Sequence, residues 1–177
     1  RAVREAYLQH TKRLDIGIDR ELEREVSRTR LAGRLARSNL EASIERIRAE
    51  PGTPATSVAL LNSILATILR LAHALLAFEA GLYSGSPAPP RDAFRPFADH
   101  VELTLYHLAA ALRGSPVAPD SLPDLREDHH ALVHSAGSED ERYAFVNTET
   151  DRITNSLNTL SEELRQWVTS PEEVKAV

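Results

Sequence analysis

Residues 57–83 read SVALLNSILATILRLAHALLAFEAGLY, and this stretch decides the fold. Leu61, Ile64, Ile68, Leu71, Leu75, Phe78 and Leu82 recur at alternating steps of three and four. Such steps make the seam by which helices pack side by side at a shallow angle. Leu60, Leu65, Leu69, Leu76 and several alanines widen the stripe, which predicts the most buried helix of the molecule. The run, about 26 residues, is also long enough to cross a bilayer. Against that reading, Arg70 and His73 sit mid-segment beside Asn62 and Ser63. A central arginine costs about 2.5–3.5 kcal/mol on insertion scales, so a packed helix outside the bilayer is preferred.

Punctuation on either side sets the neighbours. Pro and Gly gather at 51–54, 85–90, 114–123 and near 137 and 171, and the intervals between them carry helical periodicity. Upstream, one helix is expected over about 1–14, breaking near Asp15-Ile16-Gly17. Asp19 is placed to cap the next helix, which runs to Ala49 with Leu22, Val26, Gly33, Ala36, Leu40, Ile44 and Ile47 near one face. Gly33 costs roughly 1 kcal/mol there relative to Ala, which points to a closely approaching neighbour helix. Downstream, a helix opens near Asp92, tolerates Pro96 in its first turn, and carries Phe97, Val101, Leu105, Leu108 and Leu112. A short helix follows over Leu125–Ser135. Ser138 and Glu141 then match a capping box ahead of a last helix with the seam Val146, Thr150, Ile153, Leu157, Leu160, Leu164 and Trp167. No period-two alternation occurs, so strands are not expected. These elements predict an all-α, antiparallel helical bundle of four long helices plus one or two short ones. One domain is expected over 1–170, followed by a loose tail over 171–177.

Composition narrows the chemistry. The 177 residues are 42% apolar and 27% charged, ordinary for a folded protein. There is no Cys, which excludes disulfides, thiolate metal sites and thiol nucleophiles. There is also no Met, which suggests a piece of a longer protein. Residues 1–50 hold 12 Lys/Arg and 9 Asp/Glu, a net +3, whereas residues 51–177 hold 9 and 17, a net −8. A nucleic-acid face is not expected, because Glu21, Glu23, Glu25, Glu41 and Glu45 interleave the basic half at helical pair spacings.

Catalytic signatures do not appear. Phosphate-binding glycine loops and the G-x-S-x-G elbow are both missing, which disfavours nucleotide and acyl-transfer enzymes. Glu127, His130 and His134 share helical spacing and could ligate zinc in a metal-dependent enzyme, with an exposed polar helix as the preferred reading. Glu127 and His130 form one E-x-x-H, yet a di-iron centre needs a second such motif, and Glu102 and His107 have the wrong spacing for it. No metal and no cofactor is expected. His100 and His107, seven apart, share a face, where a core or surface role is expected in preference to a site. Arg70 and His73 lie one turn apart near the apolar stripe; a hydrogen bond within the bundle or a small acidic ligand would satisfy them.

The segment Arg30–Pro51, RLAGRLARSNLEASIERIRAEP, carries a further clue. Arg30, Arg34, Arg37, Asn39, Leu40, Glu41, Ala42, Arg46, Glu50 and Pro51, followed by an apolar helix, resemble the C-terminal soluble domain of the fusaric-acid-resistance-type inner-membrane transporter family. Weaker similarities lie around Leu69–Leu76, at Pro123-Asp124-Leu125 and at Glu149-x-Asp151-Arg152. The resemblance implies a cytoplasmic domain, without catalysis of its own, following the transmembrane region of an efflux or resistance protein. It implies homo-oligomerisation and, for the full-length protein, a periplasmic adaptor as partner. It implies a polar helix network of Arg34, Arg37, Asn39 and Glu41 serving architecture or assembly. The basic start of the chain agrees with a position just inside the membrane.

Overall fold

The computed structural model describes residues 1–10, 20–82, 88–115, 122–135 and 141–169, with residues 9, 10 and 82 described by their backbone alone. Six helices occur among them: α1 Ala2–His10, α2 Arg20–Ala49, α3 Ala55–Leu82, α4 Phe94–Leu112, α5 Leu125–Val133 and α6 Arg142–Thr169. No strand occurs among the described residues, so the chain is all-α as the periodicity predicts. The expected break at Asp15–Gly17, the caps at Asp19 and Ser138, and the tail from 171 lie outside the described residues.

α2 and α3 form a hairpin. Its turn needs Gly52, whose φ of +90° strains any residue bearing a Cβ. The Thr53 hydroxyl donates to the Ile47 carbonyl at 2.9 Å, closing the end of α2. α5 is capped by Asp124, whose carboxylate accepts from the backbone N–H groups of Arg126 at 2.9 Å and Glu127 at 3.1 Å.

α3 and α6 run antiparallel: Ser63 and Thr67 reach Glu163, while Gly81 meets Phe145. The α6 seam is as expected, with Val146 through Leu164 buried and Trp167 half-buried. The core has two linked parts. Ile64, Leu71, Leu108, Leu125, Leu157 and Leu160 make an aliphatic end. Tyr7, Phe78, Phe94, Phe97 and Leu132 make an aromatic end, and Val101 packs against both.

Three expectations need correction. α3 is not the most buried helix. In α3, residues 55–81 include seven that are buried, whereas α6 buries eleven. Its tight seam is also rotated onto Ile64, Thr67, Leu71, Ala74 and Phe78, because small Thr67 and Ala74 admit α6 closely, leaving Leu61, Ile68 and Leu75 half-buried. On α4, Leu112 is 56% exposed, beyond the reach of the neighbours that cover Phe97 and Leu108.

Glycine placement is the third. Nothing lies within 4 Å of a Cβ built on Gly33, so no neighbour approaches it. α2 is buried only at Leu22, Val26 and Ile44, and residues 27–36 are all exposed. The glycine that does admit a neighbour is Gly81, inside α3, where an added Cβ would fall 2.1 Å from the Phe145 ring. Gly33→Ala should therefore stabilise the chain by about 1 kcal/mol, read as a raised urea midpoint.

Candidate functional site

The fold gathers one of the sequence-derived pairs into a cleft. Arg70 and His73, from the exposed flank of α3, line a groove of about 480 Å³ against α6, where Arg152, Asn155 and Thr159 form the other wall. Ala74 and Ala77 give it an apolar floor. Arg70 donates to the Thr67 hydroxyl at 2.7 Å, and Thr67, fully buried, donates to Glu163 Oε1 at 3.1 Å. Arg152 donates to Glu149 Oε1 at 2.8 Å across one turn of α6. Two oriented guanidinium groups and an imidazole over small apolar side chains suit a compact carboxylate. Arg152, named from the sequence only within the Glu149-x-Asp151-Arg152 similarity, could not be joined to this pair there, because the α3–α6 packing brings it to Arg70.

A neighbouring groove of about 720 Å³, sharing Thr159, is acidic, with Glu162 and Glu163 on its wall. Glu163 is 8% exposed and accepts from Ser63 as well as Thr67. These bonds tie α3 to α6 through polar groups, so this groove reads as a structural seam.

Of the predicted polar stretch on α2, the structure pairs Arg37 with Glu41. Arg37 Nε lies 3.6 Å from Glu41 Oε1, Arg34 contacts no charged partner among the described residues, and Asn39 takes part through its backbone carbonyl, which accepts from Ser43. Arg30 instead reaches across to α3: its Nε and Nη2 grip the two oxygens of Glu79 at 2.8 and 2.6 Å. Glu79 is 2% exposed, making this a clasp between buried acid and half-exposed base.

The histidines have separate engagements. His100 Nδ1 meets Asp128 at 2.6 Å, and His107 packs its ring edge on Tyr106. His130 and His134 stack at 3.9 Å, with His134 Nδ1 against the His130 carbonyl at 2.8 Å. Glu127 does not complete a metal site with them, and among the described residues no group of three His or acidic side chains is arranged to hold a metal. His129, not singled out by the sequence, is nearly buried against Phe97 and hydrogen-bonds the Asn147 carbonyl at 3.2 Å.

A polar knot lies inside the aromatic core. Arg91, 7% exposed, sits 4.4 Å above the Tyr143 ring and donates to Asn147. The Tyr143 hydroxyl donates to the Pro89 carbonyl at 2.7 Å. Burial pushes the Tyr7 phenol up to about 12, with Tyr143 adding to the rise and Arg91 opposing it. Burial also lowers the Arg91 guanidinium from its usual value, with the two phenols opposing. A raised phenol pKa favours the neutral form in the folded chain. Its contribution is therefore complete below the unfolded value near 10 and is lost as pH rises through about 12. The stability of the wild-type chain should fall by up to about 3 kcal/mol more than that of Tyr7→Phe across this window, measured by urea unfolding.

Compared with family models, curated proteins and solved structures, the chain matches none.

Proposed function

We propose that this chain is a non-enzymatic assembly domain on the cytoplasmic side of an inner-membrane, efflux-type transporter-like protein. In this reading its copies associate with one another and follow the transmembrane region of the same protein, whose full-length form meets a periplasmic adaptor. One observation carries the assembly role: the most apolar helix, α3, leaves several of its leucines partly uncovered. α6 covers one side closely, but α2 leaves Leu76 44% exposed and both Leu65 and Leu69 only half-buried. An apolar strip of this kind suits a helix from a second copy.

Light scattering at rising concentration should show a mass above that of the single chain. Leu76→Glu should shift it toward monomer without unfolding, since Leu76 is half-exposed. A strict monomer at high concentration, both for this chain and for its full-length parent, overturns the assembly role.

The groove at Arg70, His73 and Arg152 favours a second reading, a binding site for a small aromatic acid. Calorimetry with aromatic carboxylates should then give heat that is lost in Arg70→Ala, and the absence of heat rejects it.

A further inference from the structure

We infer that the outward face of α2 lies on an anionic membrane surface. Arg20, Arg24, Arg28, Leu31 and Leu35 follow one another at steps of three and four on the side of α2 opposite its buried Leu22, Val26 and Ile44, and Arg34 flanks that line. All six are exposed, Leu31 by 62% and Leu35 by 63%. The four arginines make no hydrogen bond or ion pair among the described residues, whereas Arg30, Arg37 and Arg48 on the same helix each face a glutamate. From Arg28 to Arg37 there are four cations and no acid. The glutamates of the helix, Glu21, Glu23, Glu25, Glu41 and Glu45, lie outside that stretch, so the middle of α2 is where an anionic plane is attracted.

The shape of the face separates a lipid surface from an acidic protein. α2 spans 30 residues, about 45 Å, and in its exposed middle Arg30 reaches back to α3, so the opposite, outward side is the convex face of a helix. A planar, fluid partner fits it. The two leucines dip into the headgroup boundary while the arginines lie along the phosphates and extend their aliphatic stems beside the leucines. The inference stands apart from the assembly reading, because a single copy suffices to bind.

The test is co-sedimentation of the chain with vesicles of phosphatidylcholine alone or mixed with phosphatidylglycerol. Binding is expected only to the anionic vesicles and should weaken as salt rises. Each arginine on such a surface contributes roughly fivefold, so Arg24→Gln/Arg28→Gln/Arg34→Gln should weaken binding by roughly 100-fold. Leu31→Ser/Leu35→Ser should weaken it by roughly tenfold or more. Arg95→Gln/Arg113→Gln, exposed cations elsewhere, should leave it unchanged. Circular dichroism on each variant establishes that it is folded. No binding to anionic vesicles, equal binding to neutral ones, or indifference to the α2 substitutions overturns the inference. If those substitutions instead abolish self-association while vesicles stay unbound, the face belongs to a second copy and the lipid assignment falls. A monomeric chain that binds anionic vesicles keeps this inference and removes only the assembly role.

Discussion

Leu157→Ala is expected to destabilise the domain by about 4 kcal/mol, enough to lower the melting temperature by roughly 10 °C for a chain of this size. Leu157 is fully buried on α6 and packs among Ile64, Leu71, Leu108, Leu125 and Leu160, so four elements border the space its truncation would leave. Collapse into that space is difficult, because α3 and α6 are also fixed by the bonds of Ser63 and Thr67 to Glu163. Leu76→Ala is the matched control. That leucine is 44% exposed, and its loss should cost under about 1 kcal/mol. Thermal unfolding of the two variants measures the contrast. Equal losses would mean that the aliphatic end of the core is packed differently from the arrangement described.

Removing Arg30 is expected to cost about 3 kcal/mol, whereas removing Glu79 costs little. The Arg30 fork holds both oxygens of a carboxylate that is only 2% exposed, so Arg30→Met strands a charge away from water. In Glu79→Leu the reverse happens: the freed guanidinium, already half-exposed, turns out to solvent, and the leucine adds apolar contact. The double variant should therefore recover most of the loss seen in Arg30→Met. Urea unfolding of the three variants gives the signs directly. If both single variants fall within about 0.5 kcal/mol of wild type, the clasp behaves as a surface ion pair.

The helices themselves were legible because each carries its own periodic signal. On α6 the large residues Val146, Ile153, Leu157, Leu160 and Leu164 fall on one line, and whichever neighbour arrives must cover that line. α3 shows the limit of the same reasoning. Its leucines surround most of the helix, so the pattern reveals the width of the stripe but not the side from which neighbours come. Gly33 and Gly81 were reversed in importance for the same reason, since space around a Cα is a property of packing. The charged residues of the interior left fainter marks. Glu79 stands between Phe78 and Ala80 in an apolar run, a signal of a buried acid in search of a base. Arg91 follows Pro89-Pro90 with nothing local to mark it as a core residue. Of the candidate site, Arg70 and His73 could be named from the sequence, while Arg152 joins them only through the crossing of α3 and α6.

The division of the interior into aromatic and aliphatic ends gives the molecule two separate spectroscopic reporters. The single indole, Trp167, belongs to the aliphatic end, while the buried phenols of Tyr7 and Tyr143 belong to the aromatic end. Tryptophan emission and near-ultraviolet tyrosine dichroism therefore watch opposite halves, with Val101 as the shared hinge of contact. Coincident melting of the two chromophores marks one cooperative unit, and a lag between them identifies which half loosens first.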